Sequence, residues 1–383
     1  MSFIFWFSLG LIFYTYAGYP FLLFLLSLLF KRKIRKGFAE PRVSVILSAF
    51  NEEKTIEKKL HNLLSLDYPA EKLEILVGSD GCFDRTDEIV SKFPSSHIRF
   101  FRFIKNNGKP RVLCALVKEA TGSVLVFTDA RQELDRQAVR ALVVNFHDPE
   151  IGCVSGELYF KSRRRIKSES VAKGMGAYWR YEKFLRKKES EIGSMLGATG
   201  ALYAIRRNLF PDVMPADILV DDMYIPLSII RKGYRAVFES GARAFDHPSE
   251  YGREEFKRKI RTLAGNCQIF SNFPKLLIPF MSPVAWQLFS HKLLRLVVPL
   301  GLIFLFISNL FLMARPLYAV FLTLQALFYF LAILEADRVK QGKRDKGLGY
   351  LPYIFCLLNY SAFVGLVKFL KQEPKGAWER AYA

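Results

Sequence analysis

Cysteine is scarce in this sequence, with only five residues among 383. They are Cys82, Cys114, Cys153, Cys267 and Cys356, scattered along the chain and odd in number. The arrangement has neither the close spacing of a metal-binding cluster nor the even count of a disulfide framework. It argues against a disulfide-stabilised secreted domain and a thiolate metal centre, and a reducing compartment fits it best.

Negative charge is also in short supply. The chain has 36 acidic residues against 56 lysines and arginines, which gives a net charge of +20, yet 51% of its residues are hydrophobic. This combination indicates a membrane protein with basic cytoplasmic surfaces and membrane lipids as neighbours. Nucleic-acid binding is the competing explanation of the charge. We rank it lower, and expect no nucleic-acid partner, because the basic residues lie beside apolar segments.

Positive charge is absent in front of the first apolar segment, residues 3–30, which is long enough to span a hydrocarbon core of ~30 Å. A cleavable signal peptide would carry its charge there. Instead, the cluster KRKIRK at residues 31–36 follows the segment. We therefore predict an inner (cytoplasmic) membrane protein with its N-terminus outside and the following domain in the cytoplasm.

Three further apolar segments, residues 293–313, 316–334 and 350–370, are each long enough to cross. The stretch PKLLIPFMSPVAWQLF before them has three prolines and reads as interfacial. Residues 336–347 and 368–380 are both basic, so both are expected inside, although only one segment separates them. We predict four spans, which put the tail outside. A re-entrant or interfacial last helix is the alternative.

The middle of the chain alternates short apolar runs with helix-like stretches. VSVILSAF, LEILVGSD and SVLVFTDA are rich in Val, Ile and Leu, as buried parallel strands are. The alternation predicts an α/β domain with a mainly parallel sheet. The expected parts are residues 1–36, a transmembrane helix with its basic flank; 37–272, a cytoplasmic domain; and 273–383, an interfacial helix with about three transmembrane helices.

All three predicted strands end in polar residues, and ligands of such sheets bind outside the carboxyl ends of the strands. Asp80 ends the second strand and is a candidate acceptor of hydrogen bonds from a base or ribose. For Asp84 in the same loop we favour capping of the next helix. In NEE, residues 51–53, capping by the acids and Thr55 is the simpler interpretation.

Other motifs suggest phosphate and acid–base chemistry, although each has a simpler structural explanation. NNGKP places Lys109 at a helix start, which suits a phosphate. The adjacent acids Asp221 and Asp222 either favour a helix N-terminus or supply a general base whose pKa its neighbour perturbs. Arg258 and Arg261 share a helix face that is either solvated or clamps a diphosphate.

The order of these motifs resembles the membrane-bound branch of the family 2 glycosyltransferases, which includes synthases of poly-N-acetylglucosamine, hyaluronan and cellulose. The likeness covers almost the whole chain and rests on the following collinear segments: YTYAGYP, VSVILSAFNEE, SDGCFDRT, NNGKP, TDA, GATGALYAIRR, VDD with RKGYRAVF, RKIRT and the trailing apolar segments. It implies a GT-A fold, which is Rossmann-like, and a nucleotide-sugar donor.

The resemblance also implies a role for each matched residue. Expected at the nucleoside of the donor are Ala49, Asn51, Glu52 and Asp80. Expected at the diphosphate are Lys109, Asp129, Arg131, Arg258 and Arg261. Expected on the acceptor side are Gly197, Ala198, Thr199 and Gly200. Asp222 is the expected base, with Asp221 as its neighbour. Tyr178 lies either along an acceptor groove or on a helix packed against the domain.

Three positions depart from the family pattern. Ser79 replaces the usual first acid of the second loop, and RKIRT lacks the Gln and Trp of the processive synthases, which puts processivity in question. The metal-binding Asp-x-Asp motif reads Asp129-Ala130-Arg131. We expect Asp129 still to contact Mg²⁺ or Mn²⁺. Arg131 is expected either to supply charge at the diphosphate or to turn outward into a salt bridge.

The implied reaction is a single displacement in which a base deprotonates an acceptor hydroxyl and cations stabilise the leaving diphosphate. An α-linked donor then gives a β-linked product. A hydrolase fits worse, because it needs no phosphate-binding lysine. The expected acceptor is a lipid or a growing saccharide. The alternatives are a polyprenyl-phosphate sugar synthase and a membrane-anchored sensor or scaffold that has lost catalysis.

Overall fold

A computed structural model describes residues 1–160, 169–246, 252–279, 282–341 and 348–371. The basic residues 342–347 and the tail beyond residue 371, on which the prediction of topology partly rests, lie outside the described residues. Eight strands form one sheet, and they are β1 Val43–Ala49, β2 Leu73–Asp80, β3 Ile98–Phe103, β4 Val124–Asp129, β5 Glu133–Leu134, β6 Ile151–Phe160, β7 Tyr203–Arg206 and β8 Arg235–Asp246.

The helices pack on both faces of the sheet, and the long apolar helices also pack on one another. They are α1 Ser2–Phe13, α2 Tyr19–Leu29, α3 Ile56–Leu64, α4 Thr86–Ser91, α5 Lys109–Glu119, α6 Ala138–Val143, α7 Glu169–Ile192, α8 Asp221–Arg231, α9 Gly252–Asn272, α10 Ala285–Gln287, α11 Leu294–Leu312, α12 Pro316–Lys340 and α13 Tyr350–Leu370.

The strands run in the order β3-β2-β1-β4-β7-β6-β8-β5. Four neighbouring pairs are parallel and three are antiparallel, so the sheet is mixed. The three runs predicted as strands are β1, β2 and β4, and they lie side by side. Because β1 pairs in parallel with both others, the three carboxyl ends meet at one edge, where Ser48 is opposite Asp129.

Alternation along β1 explains the two-sided core. Ile46 belongs to the apolar cluster on one face with α5 and α8, whereas Val45 and Leu47 belong to the cluster on the other face with α3 and α6. Successive side chains of a strand point to opposite faces, so a continuous apolar run is buried only if both faces are covered. The polar strand ends are therefore the part of this sheet left for binding.

Four helical stretches are long and apolar enough to cross a membrane among the described residues: Ser2–Leu29, Ala285–Leu312, Pro316–Lys340 and Tyr350–Leu370. A π-helical turn, Tyr14–Gly18, joins α1 to α2, and another, Leu288–Leu293, joins α10 to α11. The predicted interfacial stretch is therefore divided. Its last residues, from Ala285, belong to the same continuous helix as α11.

The last helix packs along α9, which follows the last strand of the sheet. The rings of Phe256 in α9 and Tyr360 in α13 stack with centroids 5.8 Å apart. Further along, a side chain on Gly365 would start 3.1 Å from the backbone nitrogen of Ala264, so the two helix backbones approach each other closely at this glycine. Cys267 and Ala362 share a buried cluster. α13 thus lies against a domain helix over several turns.

We predict that Gly122→Ala destabilises the sheet. A methyl group there would lie 2.6 Å from the Ser44 backbone nitrogen and 2.8 Å from the Arg42 carbonyl oxygen, where β4 begins beside β1. Because both are backbone atoms, the strands must shift, at a cost of about 1–3 kcal/mol. The apparent Tm in detergent should fall, while Gly193→Ala, which meets nothing within 4 Å, should leave it unchanged. Equal Tm values for the two variants would contradict the packing described.

Candidate functional site

The strand edge carries a cluster of one lysine and three aspartates. Lys109 begins α5, and its Nζ lies 2.9 Å from Oδ1 of Asp129 at the end of β4. The same Nζ lies 3.2 Å from Oδ2 of Asp221, the first residue of α8. Asp222 follows directly in the chain. Three elements distant in sequence therefore bring these charges together at the predicted place.

The charges in this cluster perturb one another. Burial by itself would lower the pKa of Lys109, but the carboxylates of Asp129 and Asp221 outweigh it and raise the pKa above its ordinary value. Burial raises the pKa of Asp222 to about 6, and the negative charge of Asp221 adds to the increase, while Lys109 opposes it. The arrangement provides one fixed cation and one carboxylate that holds a proton unusually well.

Asp80 orients the loop that precedes Lys109. Its buried carboxylate accepts hydrogen bonds from the backbone N–H groups of Asn107, at 2.7 Å, and Gly108, at 2.9 Å. Burial raises the pKa of Asp80, and the two hydrogen bonds oppose that shift. Gly108 has φ +85°, a conformation that favours glycine. In this structure Asp80 holds in place the loop that leads to Lys109, the predicted phosphate-binding residue. A direct contact of Asp80 with a nucleoside stays a prediction.

The loops after β1 and β2 are tied to each other through Asn51 and Glu52. Asn51 has φ +53°, and its Oδ1 accepts a hydrogen bond of 3.0 Å from the backbone N–H of Phe83. The backbone N–H of Glu52 donates to Oγ1 of Thr86 at 2.8 Å. Ala49, at the end of β1, is fully buried. These residues shape the edge of the site, and their contact with a donor is untested.

The capping predictions for these loops have different outcomes. Asp84 accepts a hydrogen bond of 2.9 Å from the backbone N–H of Thr86, the first residue of α4, as expected. The prediction for Thr55 was wrong. Thr55 stands at the N-cap of α3 but makes no side-chain cap bond. Its hydroxyl donates a hydrogen bond of 2.7 Å to the carboxylate of Glu52.

The turn at residues 197–200 packs against Asp222. The Ala198 N–H donates at 2.7 Å to the Asp222 carbonyl oxygen. A side chain at Gly200 would start 3.2 Å from Oδ2 of Asp222, whereas one at Gly197 would find ordinary contacts. Thr199 accepts a hydrogen bond of 2.7 Å from Arg186 of α7. The predicted acceptor-side turn therefore lies directly beside the predicted base.

Helix α9 holds the segment that leads into the two aspartates. Gln268 accepts a hydrogen bond from the Leu219 N–H at 3.0 Å and donates one to the Asp217 carbonyl at 3.0 Å. A side chain at Gly265 would start 2.8 Å from Val220. Sequence analysis missed both residues, and a glycine inside a helix was the available signal. Arg258 is partly exposed and Arg261 is exposed on the same helix, nearer its N-terminus.

Arg131 lies in an ion pair. Its Nη2 is 3.0 Å from Oδ2 of Asp246 at the end of β8, and Gln132 donates to the same oxygen at 2.8 Å. Of the two expected arrangements, this geometry corresponds to the salt bridge, while a contact of Arg131 with a diphosphate stays untested.

Tyr178 of α7 packs against α9, since Nζ of Lys259 lies 4.1 Å from the centre of its ring.

A buried lysine under the site was also missed. Nζ of Lys59 in α3 donates to Oγ1 of Thr128, at 2.8 Å, and to the Gln132 carbonyl, at 2.6 Å. Burial lowers its pKa to about 7, although Asp129 partly offsets the shift. Its position three residues after Ile56 puts it on the apolar face of α3, and this spacing was the available signal. Lys59 therefore bonds to the chain on both sides of Asp129, to a side chain before it and to a carbonyl after it.

The carboxylate of Asp129 is the candidate ligand for a divalent cation. No group of three His, Cys, Asp or Glu that would hold a metal occurs within the described part of the chain. Mg²⁺, however, is commonly bound through one or two carboxylates together with substrate phosphates. The Asp129 carboxyl group is 36% exposed at the site, and it fits this kind of shared coordination.

The chain is similar to known glycosyltransferases. Residues 44–213 match glycosyl transferase family 2. The chain is 25% identical over 277 residues to the poly-beta-1,6-N-acetyl-D-glucosamine synthase of Staphylococcus aureus (strain COL), a match that covers 70% of this chain and 64% of the synthase. It is 25% identical over 415 aligned positions to the probable glycosyltransferase YdaM of Bacillus subtilis (strain 168), covering 97% and 96%.

A solved structure has the same fold. The mannosyltransferase PcManGT from Pyrobaculum calidifontis, determined in complex with GDP-Man and Mn²⁺, superposes with a TM-score of 0.72 at 22% identity, covering 96% of this chain and 99% of that one. The predicted GT-A architecture is therefore confirmed. Residues 44–213 are similar to the family 2 glycosyltransferases, and the chain spans 64% of the length of the Staphylococcus aureus synthase that it matches.

We predict that Lys109→Met destabilises the protein at neutral pH. The substitution leaves Asp129 and Asp221 without the ammonium between them, and a buried carboxylate that loses its counterion is costly. The apparent Tm at pH 7.5 should fall. Lys118→Met on the exposed face of the same helix is the matched control and should not change it. Equal thermal stability of the two variants would show that the ion pairs contribute nothing.

Proposed function

We propose that this protein is a nucleotide-sugar-dependent glycosyltransferase. It would move a hexosyl unit from a nucleotide sugar, such as a UDP-sugar, to a growing saccharide or a lipid at the cytoplasmic membrane face, with inversion to a β-linkage. The observation that carries the proposal is the convergence of Lys109, Asp129, Asp221 and Asp222 at the carboxyl ends of the strands. A leaving diphosphate needs a cation such as Lys109, and an attacking hydroxyl needs a base such as Asp222.

Asp222 is the proposed base. With its pKa raised to about 6, it is ionised at pH 7 and above, yet more basic than an ordinary aspartate. Its carboxylate lies against Gly200 of the acceptor-side turn, so an acceptor hydroxyl held by that turn would be within its reach. Asp221 keeps the pKa high through its negative charge, and Lys109 limits the shift.

Lys109 is the proposed cation for the diphosphate. It stands at the N-terminus of α5, where the helix dipole also favours an anion. Asp80 fixes the loop before it, which makes Asp80 a positioning residue. When bound, Mg²⁺ or Mn²⁺ at Asp129 would add Lewis-acid neutralisation of the diphosphate. We further assign Arg258 and Arg261 to the leaving group, because guanidinium groups match phosphate geometry.

Donor recognition is assigned to the loop after β1. Ala49, Asn51 and Glu52 line the end of the central strand, next to the loop of Asp80. The ion pair with Asp246 supports a structural role for Arg131.

A sensor that lost catalysis is a weaker interpretation, since Lys109 and the proposed base Asp222 are both in place. A polyprenyl-phosphate acceptor is a possible outcome of the experiment below.

We propose that the domain at residues 37–272 is cytoplasmic and that α13 lies at the membrane interface. The packing of α13 on α9 supports this interpretation, because a helix held against a domain helix by Phe256, Ile260 and Ala264 is poorly placed to cross. It would also put the basic residues 342–347 and the basic tail on the same side, in keeping with the positive-inside rule.

The function is tested by offering the purified protein nucleotide sugars with Mg²⁺ or Mn²⁺ and either saccharide or lipid-phosphate acceptors. We expect acceptor-dependent nucleotide release, and Asp222→Asn should reduce it by about 10²–10⁴-fold, the usual contribution of a general base. The wild-type rate should rise with pH through about 6 and then level off, because the base works only when deprotonated. Asp212→Asn, at an exposed site, is the control.

The Asp222→Asn variant should be more stable than the wild type above pH 6. The folded-state pKa of Asp222 is higher than its value of ~3.9 in an unfolded chain, so its ionisation opposes folding. The gain in apparent Tm should disappear as the pH falls below about 4, where the group is protonated in both states.

In the screen of donors and acceptors, nucleotide binding without release for any donor and acceptor would favour a sensor.

The orientation is tested with reporter fusions. Green fluorescent protein, which fluoresces only inside, should be fluorescent when fused after residue 341 and also after residue 371. Alkaline phosphatase, which is active only outside, should be inactive at both positions. Phosphatase activity at residue 371 together with fluorescence at residue 341 would show that α13 crosses the membrane.

A further inference from the structure

A cavity of about 130 Å³ lies between the end of β6 and α7, on the acceptor side of the site. None of the roles assigned above uses it. Its walls combine the aromatic residues Tyr159, Phe160 and Trp179 with the charged residues Glu157 and Lys183. It is smaller than the ~300 Å³ at which sites for drug-sized ligands begin, so it suits one compact unit of a larger ligand.

The position of the cavity ties it to the reaction. Thr199 contributes to its wall, and the Thr199 backbone N–H donates to Oγ of Ser155 in β6 at 2.9 Å. The next residue, Gly200, lies against the carboxylate of Asp222. One side of a single turn therefore faces the cavity, and the other side faces the proposed base. A molecule with a hydroxyl at Asp222 would extend past this turn toward the cavity.

The aromatic part of the wall consists of three rings, and two of them, Tyr159 and Trp179, also contact lysine side chains. The rings of Phe160 and Trp179 meet edge to face with centroids 5.6 Å apart. The ring of Tyr159 is covered by Nζ of Lys183 at 5.3 Å from its centre. Trp179, Lys183 and Arg186 are spaced i, i+4 and i+7 along α7, so they share one helix face. That face is directed at the cavity.

The polar part of the wall offers both donors and acceptors. Lys183 donates to Oε1 of Glu157 at 2.5 Å, and Arg186 donates to Thr199 at 2.7 Å. The carboxylate of Glu157 is only 5% exposed, so its direction is fixed by this ion pair. A guanidinium, an ammonium and a carboxylate around a small cavity can pair with several hydroxyl groups of one ligand. A lipid chain would remove water from these charged groups without offering them a hydrogen bond, which is unfavourable.

We propose that this cavity is a saccharide subsite, which holds the sugar unit of the acceptor next to the one that receives the hexosyl group. The apolar face of that sugar packs on Trp179, and its hydroxyl groups bond to Glu157 and Arg186. The proposal rests on the proposed function and names the acceptor class more narrowly, as a saccharide of at least two units. A monosaccharide would reach the base but leave the cavity empty.

The test compares acceptors of different length with the full-length enzyme. N-acetylglucosamine and its oligomers of two and four units serve as the first probes, together with any other saccharide series that the donor screen identifies. Trp179→Ala should lower kcat/KM about ten-fold for the disaccharide and the tetrasaccharide, mainly through KM, as expected for one lost stacking contact. The value for the monosaccharide and the nucleotide release without acceptor should not change.

Two further variants keep the test decisive if Trp179→Ala folds poorly. Trp179→Phe retains a ring and should keep most of the preference for longer acceptors, whereas Glu157→Gln should weaken it. Phe38→Ala removes an aromatic ring that is 83% exposed and does not line the cavity, and it should have no effect.

Different outcomes separate the two proposals. If the wild type prefers longer saccharides but the Trp179 and Glu157 variants keep the same preference, the subsite is wrong and the proposed function stands. An equal loss for monosaccharide and oligosaccharides would mean a general effect on folding and would also overturn the subsite. Transfer by the wild type to a lipid phosphate and to no saccharide would overturn the saccharide acceptor and the subsite together.

Discussion

The contact of Lys109 with two carboxylates is the interaction on which the rest of the site depends. Its ammonium lies 2.9 Å from Asp129 and 3.2 Å from Asp221, and these residues end β4 and begin α8. Carboxylates placed so close together and partly out of water would repel one another and destabilise the fold without a counterion. The lysine removes much of that cost, while burial, together with the negative charge of Asp221, raises the pKa of Asp222. A polyanionic donor would meet a cation that is already fixed in place.

The surroundings of this cluster restrict its geometry from three directions. Asp80 holds the loop before Lys109 through two backbone N–H groups. Lys59 bonds on both sides of Asp129, to Thr128 and to the Gln132 carbonyl. Gln268 of α9 bonds to the segment before Asp221. Such supporting contacts keep reacting groups in place without touching the substrate, which lowers the reorganisation needed during the reaction.

Helix α7 connects the site to the apolar helices. Its Glu189 accepts a hydrogen bond of 2.7 Å from Tyr19 in α2, and its Leu185 packs beside Leu23. On another face, Arg186 bonds to Thr199 in the turn that touches Asp222. One helix therefore contacts the first apolar helix, the proposed saccharide cavity and the acceptor-side turn.

The sequence by itself determined the central strands and the location of the site. Continuous apolar runs require burial on both faces, and parallel strands bring their polar ends to one edge, so Asp80 and Asp129 had to lie there together with the loop of Lys109. The tertiary structure alone decided which charges pair. Arg131 meets Asp246 across 115 residues, Thr55 bonds to Glu52 instead of its helix, and α13 packs on α9. These outcomes depend on which distant segments approach each other, and local periodicity carries no information about that choice.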